Sequence, residues 1–115
     1  MSKQGYSKTK GRDAENAVVN WLQQRGWSSA ERRRLTGQYD RGDIAGMAGL
    51  TIEVKAEKQI ALAAYMKELR AERSNTGDRH GVAIVKQRGT TDVGEWYAVM
   101  PAEWFFQLWE ELNNT

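Results

Sequence analysis

The chain of 115 residues contains no cysteine, one proline and one histidine, and it has no long run of apolar residues. Without cysteine, disulfide bridges, thiolate metal ligands and a cysteine nucleophile are all excluded. A membrane-spanning helix needs about 18 or more consecutive apolar residues, and no segment approaches that length. The basic first residues are followed by no apolar stretch. We therefore expect no secretory signal peptide, no membrane partner and a cytoplasmic location.

The composition is that of one ordinary globular domain, with 40% apolar and 28% charged residues. The net charge is only +2, but the basic residues are clustered. Those that precede the first acidic residue are Lys3, Lys8, Lys10 and Arg12. Such a cluster can follow a phosphate backbone, and a solubilising surface is an equally good interpretation of this run alone. We therefore expect a flexible basic arm over residues 1–9 and a single domain over residues 10–115.

Apolar spacing and turn residues predict an α/β domain in the order α-β-β-β-α-β-β-α, with a mixed sheet flanked by helices. The predicted helices cover residues 10–25, 58–73 and 101–112. The predicted strands cover residues 27–31, 43–46, 50–56, 82–86 and 96–100. A polar, basic loop is expected over 32–42, and a turn over 74–79.

The segment 43–55 predicts a β-hairpin with a three-residue loop that ends at Gly49, where such loops favour a left-handed glycine. This loop fixes a register in which Ile44 is opposite Ile52. Apolar and polar residues alternate along the second strand, so one face is apolar and the other polar. The two isoleucines then lie together on the apolar face.

Asp43 and Glu53 are the candidate metal ligands. The same register places them opposite each other on the polar face, with Cβ atoms roughly 4.5–5.5 Å apart. Opposed carboxylates repel, and Mg²⁺, which binds carboxylate oxygens, would remove the repulsion. The carbonyl of Val54 is a further candidate ligand. Lys55 shares the polar face, where it could orient or deprotonate water or stabilise charge on phosphorus.

Glu15 is a further candidate, because it lies at the border of the apolar stripe of the first predicted helix. A charge there is disfavoured unless something pairs with it. Structural interpretations are open for all of these residues. Glu53 and Lys55 fit a solvated strand face, and Glu15 fits a boundary position that reaches water.

The order of Glu15, Asp43 and then Glu53-Val54-Lys55 after a short hairpin resembles the active-site pattern of the PD-(D/E)xK nuclease superfamily. Within it, the basic arm and residues 10–15 are similar to the archaeal-type Holliday junction resolvases and their small phage relatives, over about residues 10–112. The resemblance implies a restriction-endonuclease-like core with Glu15, Asp43, Glu53 and Lys55 as catalytic residues. It implies Mg²⁺ as cofactor, with Mn²⁺ as a substitute. It also implies a homodimer that makes paired nicks in four-way DNA junctions, in a bacterial or phage-infected host cytoplasm.

The loop before Asp43 departs from the family pattern. Gly42 stands where the superfamily often has proline, and Thr36 is the nearest match to a functional serine of the resolvases. Asp40 is a second acid in this loop and an alternative auxiliary ligand. Two other functions are open: a restriction-like or repair nuclease acting on linear or single-stranded DNA, and a non-catalytic DNA-binding module.

The candidate DNA contacts are basic or polar residues in the arm, in the loop before the site and near the ends of predicted strands. They are Lys8, Lys10, Arg12, Arg32, Arg33, Arg34, Thr36, Arg41, Gln59, Lys86 and Arg88. A loop beside a nuclease centre must meet the DNA backbone. His80, the single histidine, lies in a glycine-flanked turn, and we assign it no catalytic role.

The last predicted helix carries a broad apolar stripe. Its residues are Trp104, Phe105, Leu108, Trp109 and Leu112. Part of this stripe belongs to the core, but it is wide for a single neighbour in so small a domain. An exposed part would mark an interface, and a two-fold dimer would hold two sites in a fixed relation.

Overall fold

The structure is a computed structural model that describes residues 3–34, 37 and 39–114, and the side chains of residues 3–9 lie outside this description. Its elements are α1 (Lys3–Gln24), β1 (Glu31–Arg32), β2 (Ile44–Ala45), β3 (Leu50–Lys55), α2 (Leu62–Thr76), β4 (His80–Val85), a 3-10 helix (Val93–Glu95), β5 (Tyr97–Val99) and α3 (Ala102–Asn113). The α/β prediction is confirmed. The predicted order differs in detail, because it lacks the 3-10 helix before β5.

The strands form one mixed sheet in the order β1-β2-β3-β4-β5. Strands β3 and β4 run parallel, and the other neighbouring pairs run antiparallel. A parallel pair needs a crossover connection, which α2 supplies. Strand β3 therefore has a hydrogen-bonded neighbour on each side and lies at the centre of the sheet.

The hairpin of β2 and β3 has the predicted register, with Ile44 opposite Ile52. Gly49 has the predicted left-handed conformation, with a φ of 75°. Gly46, at the other end of the loop, has a φ of 86° and approaches the segment before β1. A Cβ added at Gly46 would lie 1.9 Å from the carbonyl oxygen of Ser29. Since every other residue type carries a Cβ, this position requires glycine.

Helices cover both faces of the sheet. The core under α1 contains Ala14, Val18, Val19, Leu22, Ala30, Ile44, Ile52, Val54, Val82 and Trp96. The core on the opposite face, under α2 and α3, contains Tyr65, Leu69, Ala83, Val85 and Trp104. The polar face of β3 is consequently buried as well, with Thr51 0% and Glu53 6% exposed. The solvated strand face considered for Glu53 is therefore wrong.

Helix α1 and strand β1 differ most from the sequence expectation. Helix α1 begins at Lys3 and includes the segment 3–9, which the charge pattern assigned to a flexible arm. Extending a helix costs little once part of it is packed. Strand β1 covers Glu31–Arg32 instead of 27–31, because residues 27–30 form a turn in which Ala30 N–H donates to the carbonyl of Trp27.

Helix α2 begins and ends later than predicted, and its last turn includes the first residues of the expected turn over 74–79. It ends at Gly77, which has a φ of 74° and donates its N–H to the carbonyl of Arg73. The side chain of Thr76 is hydrogen-bonded to Thr51 at 2.8 Å, so a contact with β3 stabilises this last turn. The remaining predicted boundaries agree with the structure to about two residues, which is the usual scatter.

Helix α3 has a buried and an exposed aromatic side. Trp104 packs into the core under α2 and α3, whereas Phe105, Phe106 and Trp109 are 48%, 59% and 56% exposed. The apolar stripe is thus wider than the core that receives it.

No described helix, α3 included, combines the length and apolar content needed to cross a membrane.

Candidate functional site

The candidate catalytic residues lie around one open cleft of about 960 Å³, close to the end of β3. Glu15 comes from α1, Asp43 precedes β2, and Glu53 and Lys55 belong to β3. The other lining residues are Lys10, Gly11, Val54, Ala56, Glu57, Lys58, Gln59 and Arg88. The structure therefore brings together all the residues that the sequence named as catalytic, although they are distant in the chain.

Asp43 is fixed by two backbone hydrogen bonds across the hairpin. Its N–H donates to the carbonyl of Ile52 at 2.8 Å, and its Oδ2 accepts from the N–H of Val54 at 2.7 Å. Burial, followed by the neighbouring Glu53 carboxyl, raises the pKa of Asp43 to about 8. The carboxyl of Asp43 is thus held against Glu53 by the fold itself.

Glu53 is buried where β3 passes beneath α2. Its Oε1 lies 3.8 Å from Lys55 Nζ, whereas its Oε2 is buried and has no hydrogen-bond partner among the described residues. Burial, followed by the adjacent Glu72 carboxyl, raises the pKa of Glu53 to about 9. Without a bound cation, Glu53 therefore tends to hold a proton at neutral pH.

Glu72 of α2 is a site residue that the sequence reasoning missed. It is 1% exposed, and burial raises its pKa to about 7. Asp40, Glu53 and Glu72 each place one carboxylate oxygen within 4.8 Å of the others, an acidic group that can hold a metal ion. A signal for Glu72 exists in the sequence, because it follows Tyr65 and Leu69 by seven and three positions and so shares their buried helix face.

Glu15 is partly buried and paired. Its Oε1 accepts a hydrogen bond from Arg32 Nε at 3.0 Å. Burial and the nearby Asp43 carboxyl raise the pKa of Glu15, while Arg32 acts in the opposite direction. The salt bridge gives Glu15 the partner that its position on α1 requires, and Glu15 still faces the cleft.

Lys55 is held by acids on two elements. Its Nζ donates to Glu68 Oε2 of α2 at 2.6 Å and lies 5.2 Å from the ring centre of Tyr65. Burial alone would lower the pKa of Lys55, but the hydrogen bond to Glu68 and the charge of Glu53 raise it above the ordinary value. Lys55 therefore stays protonated at neutral pH, which favours charge stabilisation over proton abstraction from water.

The donor set at this cleft consists of oxygen atoms. Carboxylates of Asp43, Glu53 and Glu15, with the nearby carbonyl of Val54, are the ligand types that Mg²⁺ and Mn²⁺ prefer. The Oε2 of Glu53 is buried without a hydrogen-bond partner among the described residues, and a buried carboxylate oxygen needs a cation or a proton. The ligand types are therefore those of a hard divalent cation. Among the described residues, however, the three carboxylates that place one oxygen each within 4.8 Å of the others are Asp40, Glu53 and Glu72, and not Glu15, Asp43 and Glu53.

The arginines at the end of β1 and in the loop after it have different surroundings. Arg32 is engaged with Glu15, and Arg33 is half-buried against the hairpin, where its Nη2 reaches the carbonyl of Ile44 at 3.5 Å. Arg34 and Arg41 are exposed. The structure thus leaves Arg34 and Arg41 as the loop arginines best placed to contact an external phosphate.

A smaller groove of about 180 Å³ adjoins the cleft and is rich in lysine and arginine. It shares Lys10, Lys58 and Arg88 with the cleft and adds Lys86, whose Nζ lies 5.7 Å from the ring centre of Trp96. The basic side chains therefore continue outward from the candidate metal site.

The remaining candidate DNA contacts are scattered. Arg12 is exposed on α1, and Gln59 is exposed at the cleft before α2. Thr36 and the side chain of Lys8 lie outside the described residues. His80 does not line the cleft; its Nε2 lies 2.8 Å from Glu111 Oε2 of α3.

Comparison with protein-family models gives no match, and comparisons with curated proteins and with solved structures give no significant match. The function of this protein is therefore inferred from the geometry of the site and from the residue pattern. The resemblance to the PD-(D/E)xK superfamily stays a prediction.

Proposed function

We propose that the protein is a metal-dependent endonuclease that hydrolyses DNA phosphodiester bonds, with the restriction-endonuclease-like core of the PD-(D/E)xK superfamily. The observation that carries the proposal is the meeting of Asp43, Glu53 and Lys55 at one cleft. A buried carboxyl, a half-buried carboxyl and a protonated lysine beside a central strand are unfavourable for stability, and such groups concentrate at functional sites. The mixed sheet covered by helices on both faces is compatible with the proposed core.

Mg²⁺, for which Mn²⁺ substitutes, fits the acidic groups of Asp43 and Glu53. Glu15 and the Val54 carbonyl are the further proposed ligands. When bound, the cation supplies positive charge to the phosphate at which the bond is broken. Asp43 is already oriented by Val54 N–H at 2.7 Å, so this one ligand needs little rearrangement.

Lys55 supplies a fixed positive charge beside the reacting phosphate. Water attacks phosphorus as the bond to the 3′ oxygen on the opposite side breaks. The attacking water loses its proton to solvent and the leaving 3′ oxygen takes one up from solvent, which gives 5′-phosphate and 3′-hydroxyl ends. Because Glu68 keeps Lys55 protonated, Lys55 orients this water and stabilises the developing negative charge rather than removing a proton. Gln59, exposed at the same cleft, is a candidate second contact to the phosphate.

DNA is the proposed partner because the cleft opens into the basic groove. Lys10, Lys58, Lys86 and Arg88 lie along a continuous surface that extends from the acidic centre. Positive groups that follow a phosphate backbone give affinity without sequence preference. Arg34 and Arg41 extend the proposed contact surface on the loop side.

The preferred substrate is a four-way DNA junction, which a homodimer cuts by paired nicks. This part follows from the resemblance to junction resolvases. The exposed aromatic face of α3, formed by Phe105, Phe106 and Trp109, supports it, because contiguous exposed aromatic side chains favour association. A two-fold dimer would present two identical sites to a substrate with matching symmetry.

The substrate is tested with a labelled four-way junction, a linear duplex of the same sequence and the corresponding single strand, each with Mg²⁺ or with EDTA. Symmetric nicks in the junction alone, lost with EDTA, are expected. Equal cutting of linear DNA would support a restriction-like or repair nuclease instead. Salt-sensitive binding with no cutting in Mg²⁺ or Mn²⁺ would support a non-catalytic DNA-binding module.

A further inference from the structure

The buried carboxyl of Glu72 is the polar group of the described structure whose environment is hardest to explain by folding alone. It lies on the face of α2 that packs on the sheet, with Tyr65 and Leu69, and is 1% exposed. Both of its oxygen atoms are buried and have no hydrogen-bond partner among the described residues. An isolated carboxylate in such a place costs several kcal/mol. Glu72 therefore needs either a cation or a proton.

The basic residues near Glu72 are engaged elsewhere. The guanidinium of Arg73 lies 4.0 Å from the ring centre of Trp104, and Lys55 is bonded to Glu68. Within the part of the chain that the structure describes, no lysine or arginine forms a salt bridge with Glu72. A cation or a proton, and not a described lysine or arginine, must therefore balance the Glu72 carboxyl.

Two other carboxyls face Glu72 from different elements. Glu53 comes from the centre of β3 and has an orphaned Oε2, and Asp40 comes from the loop before β2. The Asp40 loop is attached to α2, since Asn75 Nδ2 donates to the carbonyl of Asp40 at 2.8 Å. Asp40 is exposed, so the acidic group reaches the protein surface at this residue.

We propose that Asp40, Glu53 and Glu72 bind a second divalent cation of the Mg²⁺ or Mn²⁺ type, in addition to the cation proposed at Asp43. Glu53 is common to both sites, with one oxygen beside Lys55 and the other buried without a partner. Three carboxylate oxygens within 4.8 Å of one another can converge on one hard cation. Cation binding at this second site can be measured without DNA and does not require cleavage activity.

The competing explanation is a proton shared between Glu53 and Glu72. A shared proton would also make the buried pair neutral, but it would need no third carboxyl and would leave the number of bound cations unchanged. Glu72→Gln separates the two explanations, because a glutamine amide can replace a protonated carboxyl as a hydrogen-bond donor and is a poor cation ligand.

The number of Mn²⁺ ions bound per chain, measured by titration calorimetry and electron paramagnetic resonance without DNA, tests the proposal. Two Mn²⁺ ions are expected for the wild type, and one for Glu72→Gln and for Asp40→Asn. If Glu72→Gln does not fold, Asp40→Asn still tests the proposal, because Asp40 is exposed and its substitution should not disturb folding. Glu110→Gln, an equal charge change on the exposed face of α3, is the matched control and should bind two.

The Asp43→Asn variant separates this site from the proposed nuclease site. It should keep one Mn²⁺, and that remaining ion should be lost when Glu72→Gln is added. If Glu72→Gln and Asp40→Asn both bind as many ions as the wild type, the second site is wrong. If the wild type binds one ion that only the Asp43 substitution removes, the second site is likewise wrong while the nuclease site stands.

Discussion

The side chain of Asp43 accepts a hydrogen bond from the backbone N–H of Val54 at 2.7 Å. Strand β2 is only the pair Ile44–Ala45 and begins after Asp43, so no backbone group of β2 is opposite Val54. Asp43 takes that place, and its carboxyl is thereby fixed next to Glu53. The acidic centre is therefore built into the end of the hairpin and exists before any ligand binds.

Removal of the Lys55 charge should reduce the cleavage rate. Lys55→Met keeps most of the length of the side chain and removes the positive charge at the reacting phosphate, so we expect a loss of at least about 100-fold in single-turnover rate. Affinity for DNA should change little, because the basic groove is intact. The control is Lys67→Met, on the exposed side of α2, which should cleave normally. Equal rates for the two variants would contradict the assignment.

Stability of the metal-free protein should fall as pH rises. Burial raises the pKa of Asp43 to about 8, of Glu53 to about 9 and of Glu72 to about 7, from ordinary values of 3.8 for Asp and 4.5 for Glu. Between about pH 4.5 and pH 9 the folded protein then holds protons that the unfolded chain has released. Linkage makes the free energy of unfolding decrease through this window and level off above it.

Urea denaturation in EDTA at several pH values from 5 to 9 measures this dependence. The decrease should be smaller for Glu53→Gln, which has no proton to lose, and unchanged for Glu110→Gln. Saturating Mg²⁺ should also reduce the decrease, because the cation binds the deprotonated carboxylates. A stability that is constant or rises over this range in EDTA would contradict the assigned direction.

Gly46→Ala should destabilise the protein more than Gly49→Ala does. Both glycines are left-handed, but a Cβ at Gly46 would meet the Ser29 carbonyl at 1.9 Å, whereas nothing lies within 4 Å of one at Gly49. We expect about 1–2 kcal/mol for Gly49→Ala from backbone strain alone, and a clearly larger loss for Gly46→Ala. Thermal or urea denaturation measures both, and equal losses would contradict the close approach.

The exposed aromatic face of α3 should mediate dimer formation. Phe106→Glu and Trp109→Glu place a charge in the proposed interface, and loss of a central aromatic contact costs about 2 kcal/mol or more. Light scattering at micromolar concentration should give a dimer for the wild type and monomers for these variants. Leu62→Glu, an exposed apolar position on α2, is the control and should stay dimeric. A wild-type monomer would contradict the proposed interface.

The hairpin was predictable from sequence because its determinants are local. Alternating residues and the position of Gly49 give the register that pairs Ile44 with Ile52. The late end of α2 was not predictable, because Thr76 is stabilised by Thr51, which is 25 positions earlier. The approach of Gly46 to Ser29 is likewise a tertiary contact that no local pattern encodes.

The part of the candidate site on the hairpin was predictable from sequence, whereas the part that α2 contributes was not. The burial of Glu53, the bond from Lys55 to Glu68 and the inclusion of Glu72 all follow from the packing of α2 over β3. The helical spacing of Glu72 from Leu69 contained part of this information. Its partners on other elements did not, because they depend on how helix and sheet pack.

The proposed nuclease site is best tested by cleavage of a labelled four-way junction with the wild type, Asp43→Asn and Glu53→Gln. Asparagine can still accept the hydrogen bond from Val54, so Asp43→Asn changes the charge with little effect on the hairpin. We expect nicking by the wild type in Mg²⁺, none in EDTA, and none by either variant, while both variants still bind the junction. The Glu110→Gln control should cleave normally. Undiminished Mg²⁺-dependent nicking by Asp43→Asn or by Glu53→Gln would contradict the account.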